Sequence, residues 1–157
     1  MTIQYRKGDA TCPGSERTAL IAHIVNTKGG WGRGFVLALS NRWGQPEEAY
    51  RRWHRTNCNE QMQPFTLGNI QCVRVESYLY VVNMIAQAGY SGPGRSALCL
   101  ESLDTCLGKL AELARELKAS VHIPRIGTGL GGSSWQGIEP IISRQLLDVS
   151  VTVYDFA

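Results

Sequence analysis

Pro124-Arg125-Ile126-Gly127-Thr128-Gly129-Leu130-Gly131-Gly132-Ser133-Ser134 lies between a β-rich segment, Ser120 to Ile123, and a segment with helical spacing that carries Ile138, Ile141, Ile142 and Leu146. Closely spaced glycines let successive backbone N–H groups converge on one point. A helix that starts just beyond adds the positive end of its dipole, and the two together form an anion cradle that needs no basic side chain. Gly127, Gly129 and Gly132 also satisfy G-x-G-x-x-G. A dinucleotide-binding fold is excluded by position, because further βα units must follow that turn and only 25 residues come after Gly132 in a chain of 157.

A second loop of the same kind occurs near the start, Asn26-Thr27-Lys28-Gly29-Gly30-Trp31-Gly32-Arg33-Gly34. It follows Ala19-Leu20-Ile21-Ala22-His23-Ile24-Val25, an apolar run suited to a strand buried on both faces. It precedes Phe35 to Trp43, which read as a helix. Two strand–loop–helix units place two cradles at the same ends of their strands, facing one another across a crevice. A diphosphate bridged between them is the natural ligand. Trp31 would offer a flat face to a sugar or base, while Lys28 and Arg33 are expected in solvent.

Working outward, residues 3 to 6 read as a first strand ending at Lys7-Gly8-Asp9. Pro46, with Glu47 and Glu48, suits the first turn of another helix. Asn69 to Glu76 and Tyr78 to Ile85 form a hairpin. Gly89 to Gly94 is a loop, and Ser96 is a candidate cap for a long helix whose buried face carries Leu103, Leu107, Leu110, Ala114 and Leu117. Val149 to Phe156 is a last strand. The order implies one domain over residues 1–157, a three-layer α/β/α sandwich around a mixed, mostly parallel sheet.

Composition fits an ordinary folded domain, with a net charge of +3 that suits an anionic ligand. No apolar run is long enough to cross a bilayer, and the N-terminus has no secretory core, so a cytoplasmic protein with no membrane partner is expected. The five cysteines, Cys12, Cys58, Cys72, Cys99 and Cys106, contain no C-x-x-C pair. They imply neither zinc nor a disulfide framework, and most are expected to be buried thiols. Arg51-Arg52-Trp53-His54-Arg55, with Arg42-Trp43 nearby, interleaves bases and aromatics as a single-strand nucleic-acid surface would. The same residues also fit the solvated face of a helix.

Together these segments resemble the macrodomain family over nearly the whole chain. The resemblance rests on Lys7-Gly8-Asp9-Ala10, on Ile21 to Asn26 with Gly29 to Gly34, and on Ile123 to Gly132 with Trp135, followed by Val151-Thr152-Val153-Tyr154-Asp155. It implies ADP-ribose or ADP-ribose-1″-phosphate as ligand, free or carried on protein or nucleic acid, with no cofactor and no metal. By that resemblance Asp9, beside Ala10, accepts from the adenine amino group, and Asn26 faces the distal ribose. Trp31, Gly32, Arg33 and Gly34, with Gly127, Thr128, Gly129, Leu130 and Gly131, wrap the diphosphate and distal ribose.

The chain is most similar to the branch that holds the terminal ADP-ribose protein glycohydrolases and the fungal ADP-ribose-1″-phosphate phosphatase. The glycohydrolases use a lysine after the middle strand and an aspartate in the second loop. Here Val82-Asn83-Met84-Ile85-Ala86-Gln87 has no lysine, and about Gly131 stands where the aspartate is expected. The phosphatase is similar in the first loop, where His23, Asn26, Gly30, Trp31, Gly32 and Gly34 match its pattern. His23 and Asn26 are therefore the candidate catalytic residues, with His23 as general base or nucleophile toward a terminal phosphate. A satisfied core histidine is the competing reading. His54 and His122 are read as structural, and Arg95 as a possible partner for a terminal phosphate. Binding without chemistry is the alternative to hydrolysis.

Overall fold

The computed structural model describes residues 3–90, 96–129 and 133–156. Among these residues are six strands and four helices, in the order β-β-α-α-β-β-α-β-α-β. The strands are β1 (Gln4–Lys7), β2 (Ala19–Asn26), β3 (Ile70–Glu76), β4 (Leu79–Gln87), β5 (Ser120–Pro124) and β6 (Val151–Asp155). The helices are α1 (Phe35–Ser40), α2 (Gln45–Thr56), α3 (Leu100–Leu117) and α4 (Trp135–Gln145). Sheet order is β1-β6-β5-β2-β4-β3, and every pair is parallel except the β3–β4 hairpin. The carboxyl ends of β1, β6, β5, β2 and β4 therefore share one edge, and both glycine loops leave from it.

Side-chain alternation along the strands divides the core. Leu20, Ala22, Val82, Met84 and Ala86 face α3 and α4. Ile21, Val25, Val81 and Ile85 face α1 and α2, where they meet Leu39, Tyr50 and Trp53. This is the expected three-layer sandwich. Strand borders fall within one or two residues of the sequence reading.

Several local expectations are corrected. α1 stops at Ser40, well short of Trp43, whose indole instead donates to Glu76 Oε2 at 3.1 Å. The cap of α3 is Cys99 rather than Ser96, with Cys99 Sγ accepting from the Ser102 amide. Leu98 is still extended there, bridged to Gln87, so the helix cannot begin sooner. Most cysteines are not buried: Cys12 and Cys58 are exposed, Cys72 and Cys99 intermediate, and only Cys106 sits in the core. Cys12 and Cys58 lie in loops outside the strands and helices, exposed to solvent. Trp53 is 1% exposed and donates to Gln63 O, while Arg51 and Arg52 pair with Glu47 and Glu48 one helical turn back. That overturns Trp53 as a base-stacking platform, because the aromatic is on the core side of α2. Among the described residues, no helix is long and apolar enough to cross a membrane.

Candidate functional site

The two glycine loops line one cavity of about 820 Å³, with Gln87 and Tyr90 on a third side. Its wall includes His23, Asn26, Trp31, Gly32, Arg33, Gly34, Gly127, Thr128 and Gly129 from the expected set. Asp9 and Ala10 are not in that wall; they sit in the turn after β1, on the same edge of the sheet. Leu130, Gly131 and Arg95 lie outside the described residues.

Local structure explains how the first loop keeps its shape. The β2–β4 register shifts between Val25 and Asn26, a bulge that re-aims the chain as it leaves the sheet. Asn26 then organises the loop. Its Oδ1 accepts from the amides of Lys28 at 2.8 Å and Gly30 at 3.2 Å, and its Nδ2 donates to Gly30 O at 3.0 Å. Tyr50 adds a hydroxyl donated to Asn26 O at 2.6 Å. The Asn26 side chain is thus committed to the loop backbone. Trp31 is 4% exposed, with its indole N–H on Ser40 Oγ at 2.8 Å and its ring between His23 and Tyr50. It closes the cavity wall from within the core instead of standing as an open stacking face. Lys28 and Arg33 are exposed, as expected.

The second loop is anchored differently. Arg125 binds Asp155 through two hydrogen bonds, Nε to Oδ1 at 2.6 Å and Nη2 to Oδ2 at 3.0 Å. Its guanidinium lies over the rings of Tyr5 and Trp135. The hydrogen bond from Arg125 keeps the Asp155 carboxyl below the usual aspartate range. Gly127 has φ +78°, and a Cβ there would stand 2.8 Å from Ile138 Cδ1 and 2.9 Å from Leu98 Cδ2. Packing and backbone conformation both demand glycine.

Gly32 and Gly129 are the opposite case. Neither has a positive φ, and a Cβ on either would meet no atom of the described residues within 4 Å. Nothing among the described residues packs against these positions. Both line the cavity, so the space a side chain would take is left to whatever enters it.

Asp9 is held in a turn. Its Oδ1 accepts from the Thr11 amide at 2.8 Å and the Thr11 hydroxyl at 2.7 Å, and Arg42 stands 3.7 Å from Oδ2. Burial pushes its pKa up, but the Thr11 hydrogen bonds and the Arg42 charge outweigh that and lower it on balance. His23 is 2% exposed. Burial drives its pKa down to about 4, against an opposing effect of its bond to Asn83, so the ring is neutral near pH 7. The Nε2···Asn83 Oδ1 separation is 2.5 Å, and Nδ1 has no hydrogen-bond partner among the described residues. His122 is structural, as expected, with Ser120 Oγ and Tyr154 OH on its two nitrogens at 2.8 and 2.7 Å. His54 stacks edge-on against Phe65 at the loop's back.

The sequence reading missed Asn83 and Gln71. Both are fully buried polar residues, and Asn83 interrupts the apolar run from Val81 to Ala86. That interruption was the available signal, since a polar side chain in such a run needs a buried partner.

A chain with this sheet order and these paired loops belongs to the macro domain family, whose model matches residues 22–142. A solved structure of a protein of unknown function from Bacteroides thetaiotaomicron is 48% identical, with a TM-score of 0.92 over 99% of this chain and 98% of that one. The structure of a macrodomain protein from Streptomyces coelicolor is 47% identical, with a TM-score of 0.85 over 99% of this chain and 100% of that one. Among characterised relatives, the chromodomain-helicase-DNA-binding protein 1-like of Danio rerio is 33% identical over 92% of this chain, which spans 14% of that protein. The ADP-ribose 1″-phosphate phosphatase of Lodderomyces elongisporus is 22% identical over 99% of this chain and 100% of its own length. The DNA ADP-ribosyl glycohydrolase of Mycobacterium tuberculosis is 26% identical over 97% of this chain and 42% of its own.

Proposed function

We propose that the cavity binds ADP-ribose or a close derivative, and that the protein hydrolyses a substituent on its distal ribose, such as a 1″-phosphate. The observation that carries this is the pair Gly32 and Gly129, one in each loop, which line the cavity at places where an added Cβ would meet no atom of the described residues. The cavity falls within the ordinary range for a small-molecule site, roughly 300–1,000 Å³. Support for the ligand comes from the family and from the names of the phosphatase and glycohydrolase relatives.

In this reading the diphosphate lies between the loops, held by backbone N–H groups, and the exposed Arg33 adds charge at the rim. The same groups stabilise negative charge as it develops on the phosphoryl group under attack, and the proton that the water loses goes to the departing 1″-oxygen. His23 supplies a neutral imidazole at the inner wall that orients an attacking water. Asn26 acts by holding the loop, since its amide is already bonded to it. Water replaces the ester oxygen on phosphorus, and the products are ADP-ribose and inorganic phosphate. Asp9 accepts from the adenine amino group through Oδ2, the oxygen that Arg42 faces.

A non-catalytic reader is the second reading, favoured by one observation. No aspartate or glutamate is present among the described residues of the cavity wall. The experiment is to incubate the chain with ADP-ribose-1″-phosphate, and in parallel with an ADP-ribosylated oligonucleotide and an ADP-ribosylated protein. Release of phosphate, or of ADP-ribose from one of the conjugates, supports the enzyme and identifies its leaving group. Tight binding with no release from any of them establishes the reader and removes the hydrolase.

A further inference from the structure

His23, Asn83 and Gln71 lie side by side on three adjacent strands. His23 is the register partner of Asn83 across β2 and β4, and Asn83 is that of Gln71 across β4 and β3. All three are nearly inaccessible, at 2%, 0% and 0% exposure, on the face covered by α1 and α2. Their side chains form one hydrogen-bonded line. His23 Nε2 meets Asn83 Oδ1 at 2.5 Å, Asn83 Nδ2 meets Gln71 Oε1 at 3.0 Å, and Gln71 Nε2 meets the Glu60 carboxylate at 3.0 and 3.2 Å. The line begins at the cavity wall and ends on an exposed carboxylate.

The direction of every bond in the line is fixed by groups that cannot donate. Gln71 Nε2 faces Ala49 O at 3.0 Å as well as the Glu60 carboxylate, so the Gln71 amide nitrogen must point there. Its Oε1 then requires a donor, which Asn83 Nδ2 supplies. Asn83 Nδ2 also faces Pro46 O at 3.3 Å, a second obligate acceptor. Asn83 Oδ1 is therefore turned to His23 and needs a proton from it. A neutral imidazole has one N–H, and this network places it on Nε2. Nδ1 keeps its lone pair, is itself shielded from solvent in the cavity wall, and is without a partner among the described residues, so a donor reaches it only as the wall gives way to a ligand.

We propose that Asn83 and Gln71, anchored by Glu60 and the α2 carbonyls, are positioning residues that lock His23 as its Nε2–H tautomer, so that Nδ1 is held as a bare acceptor for a hydroxyl or water entering the cavity. The acceptor role rests on the cavity being the ADP-ribose site; the tautomer lock does not. A buried acceptor left unmet costs stability unless something satisfies it. A ligand hydroxyl or its attacking water would supply the missing donor.

The test begins with the free 157-residue chain, its histidines labelled with ¹⁵N, and a two-bond ¹H–¹⁵N correlation spectrum at neutral pH. Single His54→Gln and His122→Gln variants assign the three rings. The expected result is a single Nε2–H tautomer for His23, with Nδ1 in the unprotonated range, and loss of that single form in Asn83→Leu. A His23 ring protonated on Nδ1, or a tautomer mixture in the wild type, overturns the proposal whether or not any variant folds.

Asn83→Asp supplies the second readout. A carboxylate on Nε2–H should raise the His23 pKa into the neutral range, so that Nδ1 acquires a proton as pH falls; because its other oxygen meets Gln71 Oε1 and Pro46 O, the same spectrum first confirms that His23 titrates. Among the described residues, the charged groups nearest this network are Glu60 beyond Gln71, and Arg33 and Arg125 elsewhere in the cavity wall; Trp31 and Phe35, packed against the ring, are neutral. ADP-ribose affinity in Asn83→Asp should then fall on acidification from pH 8 to 6 while that of the wild type stays flat. Affinity that is flat with pH in Asn83→Asp, with His23 shown to titrate, contradicts the acceptor role. If ADP-ribose does not bind the wild type, the cavity reading fails, and the free-protein spectrum still decides the tautomer lock.

Discussion

Gly127 and Ile138 are packed so closely that a Cβ on Gly127 would lie 2.8 Å from Ile138 Cδ1. The second glycine loop is thereby pressed against α4, and its path is set by a core contact. Gly127→Ala should lower stability by roughly 1–3 kcal/mol, from overpacking added to a positive φ. Thermal or urea unfolding measures it, and an unchanged midpoint would show that the loop relaxes freely.

Gly32→Ala and Gly129→Ala should behave in the opposite way. Both added methyls point into open space, so unfolding midpoints should stay within about 0.5 kcal/mol of wild type. ADP-ribose affinity should drop ~10-fold or more in each, because the methyl competes with the ligand for the cavity. Equal affinity in both variants would remove these positions from the site.

Asn26→Asp should loosen the first loop. The carboxylate retains an acceptor for the Lys28 and Gly30 amides but sets an oxygen against Gly30 O, where Nδ2 now donates at 3.0 Å. A loss of about 1–3 kcal/mol is expected from the broken bond and the repulsion. Hydrogen exchange at the amides of residues 28 and 30 should quicken, and unchanged protection would mean that Asn26 does not hold the loop.

Folding stability should rise with pH between about 4 and 6.5. His23 and His122 are both held near a pKa of about 4 by burial, against 6.5 for an ordinary histidine. In that window the unfolded chain binds more protons than the folded one. Stability is therefore full above 6.5, is lost as pH falls through the window, and loses nothing further from these groups below 4. At its steepest each histidine contributes ~1.4 kcal/mol per pH unit. Denaturant titrations across the window test it, and a flat profile would mean that neither ring is buried in the neutral form.

The fold was legible because its signals are local. Apolar runs such as Ala19–Val25, helical spacing from Leu103 to Leu117, and two glycine loops in matching positions specify strand–loop–helix units. Their resemblance to a family then ordered them into a sheet. Burial and partner choice were less legible, because they depend on residues distant in sequence. Trp31 and Trp53 look alike to a sequence reader as free aromatics, and both are core residues. Asn26 suggested a ligand contact, and its bonds go to its own loop. The line from His23 to Glu60 runs through residues 23, 83, 71 and 60, which become neighbours only when β2, β4 and β3 pair.

The central claim is that both glycine loops grip one ligand. Calorimetric titration of the wild-type chain with ADP-ribose, with AMP as control, tests it most directly. Saturable ADP-ribose binding with AMP at least ~100-fold weaker is predicted, since AMP lacks the second phosphate and distal ribose that span the loops. No heat with ADP-ribose, or equal affinity for AMP, would contradict the account and leave the cavity to some other ligand.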